Sequence, residues 1–166
     1  MAKKKQRQPA KSGQNGAAKP VPRTLYLVSQ VRYKTYLRLE AALQPLGVTA
    51  TQFRILTSLL YGEKRSSAGL SRMFDVKPQT MIKQIAILES NGLIERNLAK
   101  GNKRVLEVTL TEAGRVALRA CDKAATAVEA DIFASFEPGE LETYRVLMQK
   151  VLAGLRRIPS DALAEG

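Results

Sequence analysis

Apolar residues recur along this chain at helical spacing, in blocks punctuated by glycine and proline. After Thr24, Leu39, Leu43 and Leu46 fall at i, i+4 and i+7 and predict a long first helix stopped by Gly47. Thr49 or Thr51 caps a second helix that carries Phe53, Leu56 and Leu60 on one stripe and ends at Tyr61 and Gly62. Three polar residues lead onward to Ser66 or Ser67, either of which can cap a short helix running through Phe74, with Leu70 and Met73 turned inward. The chain breaks at Asp75 and Val76. Pro78 opens the next helix, because a proline at the first helical position lacks only an N–H that would have no partner there, and Gly92 closes it.

Within that fourth helix Met81, Ile85 and Leu88 share one face and must point inward, which leaves Gln79, Thr80, Ile82, Lys83 and Ala86 outside. The period then changes. Leu93 to Arg96 and Arg104 to Leu110 alternate around a glycine-containing loop, Asn97 to Lys103, and predict a two-stranded ribbon. Thr111 caps a helix from Glu112 to Phe136 with Ala117, Cys121, Ala124, Val128 and Ile132 on one stripe. Pro138 opens a last helix bearing Leu141, Tyr144, Met148, Val151 and Leu155, which ends near Pro159. Four helices, a ribbon and two more helices make a mainly α chain with a small β-hairpin, an α+β fold without internal repeat.

Charge changes this picture at the N-terminus. Residues 1–23 hold seven cations, no acid and three prolines, a composition that predicts a disordered basic arm. Without those cations the remainder still keeps about +5 of the chain's formal +12, so a polyanionic partner is expected, nucleic acid before membrane surface. No apolar run approaches the roughly 20 residues of a membrane span, and the basic start is followed by no secretory core, so a cytoplasmic protein is expected. With one cysteine and no histidine, no internal disulfide, no zinc site of the usual type and no cofactor is expected. The missing imidazole, nucleophile constellation and phosphate-cradling loop also argue against an enzyme. Cys121, on an apolar stripe, reads as a small buried hydrophobe rather than a redox sensor.

The run Ser67 to Ile82 has the spacing of a helix-turn-helix whose second helix is Pro78 to Ser90. Extended through Leu88-Glu89-Ser90-Asn91-Gly92-Leu93-Ile94-Glu95-Arg96 and on to Val108-Thr109-Leu110-Thr111-Glu112-Ala113-Gly114, it resembles the multiple-antibiotic-resistance regulator (MarR) family. Upstream, Gly47 to Phe53 resembles the family's entry to its second helix, so the likeness covers roughly residues 24–158. The resemblance implies a winged helix-turn-helix in residues 49–110 and a homodimer held by helices in residues 24–48 and 111–158, with 159–166 as a tail. It also implies a wing from Arg96 to Arg104 and operators of two-fold pseudo-symmetry. Two positions depart from the family pattern. Asn102 stands where an aspartate usually precedes the wing arginine, which leaves Arg96, Lys100, Lys103 and Arg104 less compensated. Gly69 occupies a helical position, and close packing against the reading helix would account for it.

Double-stranded DNA is therefore the expected partner. Gln79, Thr80, Ile82 and Lys83 are candidates for base contact, since Gln can pair with adenine, Lys with guanine or phosphate, and Ile can touch a thymine methyl. Ser67 and Lys77, near helix N-termini, and Arg96, Lys100, Lys103 and Arg104 on the wing are candidates for phosphate or minor-groove contact. The family also binds small aromatic acids between the dimer helices and the DNA-binding lobe, where Arg32, Tyr33, Tyr36, Arg38 and Arg54 are the effector candidates. The expected function is a sequence-specific transcriptional regulator, read as a repressor. The alternative is a non-specific architectural nucleoid protein that holds any duplex through its phosphates.

Overall fold

In the computed structural model of the chain, described for residues 23–61, 65–99 and 102–155, six α-helices surround a three-stranded antiparallel sheet. The helices are α1 (Thr24–Leu43), α2 (Ala50–Tyr61), α3 (Ser67–Phe74), α4 (Pro78–Ser90), α5 (Glu112–Ile132) and α6 (Glu140–Leu155). The strands are β1 (Arg65–Ser66), β2 (Ile94–Ala99) and β3 (Asn102–Leu110), in spatial order β1-β3-β2. Among the described residues no helix is long and apolar enough to cross a membrane. Residues 1–22 of the expected basic arm, the tail and Lys100 lie outside the described residues.

One hydrophobic core joins the elements. It takes Leu43 from α1, Ile55 and Leu56 from α2, Leu70 from α3, Met81, Ile85 and Leu88 from α4, Ile94, Val108 and Leu110 from the sheet, and Leu118 and Cys121 from α5. Cys121 is a fully buried free thiol, and burial pushes its pKa up, as suits a core side chain. Gly47 and Gly92, the expected helix stops, both adopt the left-handed conformation that glycine enters without steric cost.

Several apolar positions go elsewhere than their spacing suggested. Pro45 ends α1 at Leu43 and the chain tightens into a 3-10 turn over Gln44–Leu46, which rotates Leu46 off the buried face and into solvent. On α2 the inward pair is Ile55 and Leu56, whereas Leu60 is exposed. On α3 the half-buried Phe74 packs against the core and Met73 is exposed. The polar link after α2 ends in a short strand, because Arg65 and Ser66 pair with Val108 and Glu107 of β3. The ribbon strands reach into the expected loop, leaving only residues 100–101 between them.

The last two helices are shorter than read. α5 stops at Ile132 rather than continuing to Phe136, and α6 starts at Glu140, two residues after Pro138. The turn between them brings Tyr144 of α6 against Phe133 and Phe136 in an aromatic cluster with centroids 5.1 to 5.9 Å apart. Arg145 links α6 back to Glu129 of α5 at 2.7 Å. Nothing on α6 is buried.

Candidate nucleic-acid interface

Local hydrogen bonds fix the two helices of the motif. Ser66, not Ser67, caps α3, its Oγ accepting the Gly69 N–H at 3.1 Å. Ser67 becomes the first residue of α3 and is half-buried. At the far end Asp75 adopts a left-handed conformation (φ 50°, ψ 52°), and the N–H of Val76 donates to the Ser71 carbonyl at 3.1 Å. Asp tolerates that conformation better than most residues, so the turn is sharp without glycine. Lys77 is extended and exposed, and its carbonyl accepts from the N–H groups of Thr80 and Met81 at the start of α4.

α4 is held from beneath. Met81, Ile85 and Leu88 are at most 2% exposed, as the periodicity required. Gln79, Thr80, Ile82, Lys83 and Ala86 all lie on the opposite, exposed side, with Ile82 52% exposed. A fixed helix therefore offers a mixed face of amide, hydroxyl, apolar and cationic groups beginning at its N-terminus.

The ribbon stands beside it. Ile94 pairs with Leu110, Arg96 with Val108 and Leu98 with Leu106, with a bulge between Leu98 and Ala99. Lys103 and Arg104 lie in β3, near the expected tip. Arg96, expected to be less compensated than its counterparts in the family, is compensated from α4: its guanidinium forms a two-point ion pair with Glu89, the Nε–H donating at 3.0 Å. The carboxyl of Glu89 is held below its ordinary range by that hydrogen bond, and the Arg96 guanidinium is raised in turn. Sequence spacing gave no hint of this pair, since its members sit on a helix and a strand separated by a turn.

The entry to the motif is also pinned. Thr49 and Gln52 cap α2 reciprocally, at 3.2 and 3.0 Å, while Oε2 of Glu40 on α1 accepts the Ala50 N–H at 2.7 Å. At the exit the Thr111 hydroxyl donates to the Gly92 carbonyl at 2.6 Å and accepts the Gly114 N–H at 2.9 Å.

The five effector candidates do not converge. Arg32, Tyr33 and Tyr36 are exposed along α1, and Arg38 lines a hollow between α1 and α5 that also contains Lys34 and Asp131. Arg54 lies on α2 with its guanidinium 4.8 Å above the ring of Phe74. A more enclosed cleft of about 130 Å³ lies instead between α2 and α5, lined by Tyr61, Arg115, Arg119 and Asp122 over Leu60 and Leu118. Sequence reasoning missed it because its two walls come from helices far apart in the chain.

Comparison with known proteins agrees with this geometry. The family model described as MarR family matches residues 48–106. The HTH-type transcriptional repressor Rv2887 of Mycobacterium tuberculosis is 29% identical over 126 residues, covering 76% of this chain and 91% of that protein. The solved structure of the Mycobacterium tuberculosis MarR family protein Rv2887 in complex with DNA is 27% identical, covers 79% of this chain and 98% of its own, and superposes with a TM-score of 0.70. The structure of the same protein in complex with p-aminosalicylic acid is 28% identical, covers 78% and 98%, and has a TM-score of 0.66.

Proposed function

We propose that this chain, a member of the MarR family by the match of residues 48–106 and the likeness to Rv2887, is a DNA-binding transcriptional repressor that reads a two-fold operator as a homodimer. The observation that carries this reading is the exposed row Gln79, Thr80, Ile82 and Lys83 on a helix whose underside is buried to within 2%. Gln79 is assigned to adenine, Lys83 to guanine or a phosphate and Ile82 to a thymine methyl, with Thr80 between them. Ser67 and Lys77 bind phosphates at helix starts, and Lys100, Lys103 and Arg104 carry the wing's cationic contact. Arg96 is assigned a positioning role, because a guanidinium committed to Glu89 holds the ribbon on α4 and offers less to a phosphate. A purely architectural binder has no need of so mixed a face.

Two copies join through α1 and α6, whose outer faces expose Leu25, Leu27, Val28, Leu147, Val151 and Leu152. This sets two α4 helices about 34 Å apart, one turn of the duplex. The relative Rv2887 has been solved with p-aminosalicylic acid. For this chain the α2–α5 cleft is the better effector site than the α1 residues. At about 130 Å³ it approaches the roughly 150 Å³ that accommodates one benzene ring, and Arg115 stands in its wall for an anion, beside Arg119, which lies 3.6 Å from Glu112, and Asp122.

Duplexes selected by the protein from a random-sequence pool test the reading. The wild type is expected to bind the selected duplex at least about a thousandfold more tightly than a scrambled one at the same salt. Gln79→Ala and Lys83→Ala should each cost about 1 to 3 kcal/mol and relax preference at single positions. Equal affinity for both duplexes would sink the proposal.

A further inference from the structure

Leu98 and Leu106 are direct cross-strand partners in the ribbon, yet they are 59% and 43% exposed. Side chains alternate along a strand, so Ile94, Arg96 and Leu98 share one face of β2, and Leu110, Val108 and Leu106 share the matching face of β3. On that face Ile94, Leu110 and Val108 are buried, and Arg96 reaches Glu89 of α4. Leu98 and Leu106 therefore continue the core-facing row past the point where the protein covers it, on the side of the ribbon that looks toward α4.

We propose that the Leu98–Leu106 pair is an apolar clamp for the deoxyribose wall of the duplex minor groove beside the bases that α4 reads. The occupant follows from the surroundings. Between Glu95 and Glu107 the sequence carries no acid, and with Arg96 engaged by Glu89 the cations left beside the leucines are Lys100, Lys103 and Arg104, so a polyanion complements this face. A duplex presents apolar surface on its sugars and base edges, and side chains such as leucine enter minor grooves as wedges. Continuity with the exposed α4 face places the same duplex over both. The inference rests on the DNA-binding reading above and adds to it a contact that is not electrostatic.

Salt dependence separates the two kinds of contact, because only phosphate contacts release counterions. The test uses the full-length chain and the duplex it selects, with affinity measured by fluorescence anisotropy over a series of potassium chloride concentrations. The double variant Leu98→Thr, Leu106→Thr keeps strand propensity and removes apolar surface. It should bind on the order of tenfold more weakly with the slope of log K against log salt unchanged. Leu98→Met, Leu106→Met should bind as the wild type does, while Arg104→Gln should weaken binding and flatten the slope by about one. Thermal unfolding of the threonine variant like that of the wild type excludes a folding defect. Affinity within twofold of the wild type, or a loss accompanied by a flatter slope, overturns the clamp. Failure of the wild type to prefer its selected duplex would instead overturn the DNA-reading proposal.

Discussion

In the helix-turn-helix lobe Ile55, Leu56, Leu70, Ile85, Leu88 and Val108 are all at most 1% exposed, whereas on α6 Val146, Leu147, Val151, Leu152 and Leu155 are 41 to 59% exposed and nothing is buried. Both regions are apolar at helical spacing, so pattern alone does not distinguish them. What differs is supply. The lobe finds its complementary surface within the chain, from α1, α5 and the sheet, while α6 is tied back through the Phe133–Phe136–Tyr144 cluster and the ion pair of Arg145 with Glu129. An isolated helix of this length is marginal in water, so the unfilled face of α6 is the physical ground for proposing a second copy there.

One truncation in each region separates them. Leu88→Ala empties a fully buried site and should cost about 2 to 5 kcal/mol while leaving the wild-type dependence of Tm on protein concentration in place. Leu147→Ala with Leu152→Ala removes surface that this chain does not itself bury, so its effect should fall on association. Thermal unfolding at concentrations about a hundredfold apart distinguishes the two. If the α6 pair leaves association untouched, the proposed packing of a second copy on α6 fails.

Sequence reading served the two regions unequally for the same reason. The inward trio of α4 was legible because Pro78 and Gly92 bracket the helix and fix its phase. Leu46, Leu60 and Met73 keep the period yet are exposed, because periodicity carries no information about what stands opposite. β1 exists only because Arg65 and Ser66 meet Val108 and Glu107, a pairing with no local signal. The Glu89–Arg96 pair and the α2–α5 cleft are tertiary in the same sense. The exposed face of α4, by contrast, followed directly once its buried face was known.

The seam between the lobe and α5 gives the next largest expected effect. An alanine normally helps a helix by about 1 kcal/mol relative to glycine. At Gly114 the sign reverses. A Cβ there would stand 1.9 Å from the carbonyl oxygen of Leu93, in the turn that Thr111 already holds through its N–H to Leu93 at 3.2 Å and its hydroxyl to Gly92. Because the obstacle is backbone, α5 or the turn must move, and Gly114→Ala should destabilise by about 1 to 3 kcal/mol or more. A urea titration that gave a midpoint at or above the wild type would mean that α5 does not approach the lobe this closely.

Gly69, inside the lobe, is a glycine without such an obstacle, and its replacement should change stability least. Its place in α3 suggested close packing against α4, yet a Cβ there meets only the Ser66 Oγ, at 3.4 Å, which is ordinary van der Waals contact. Its backbone is helical, and its N–H, donated to that hydroxyl, is retained by any residue but proline. No close approach therefore requires the glycine, and Gly69→Ala should stabilise the protein by about 0.5 to 1 kcal/mol through the lower entropy of the unfolded chain. Urea unfolding checks the sign, and affinity for the selected duplex should remain within twofold of the wild type, since α4 has no reason to shift. A destabilised Gly69→Ala beside a stabilised Gly114→Ala would mean that the tight approach in this protein lies between α3 and α4, and not between the β2 turn and α5.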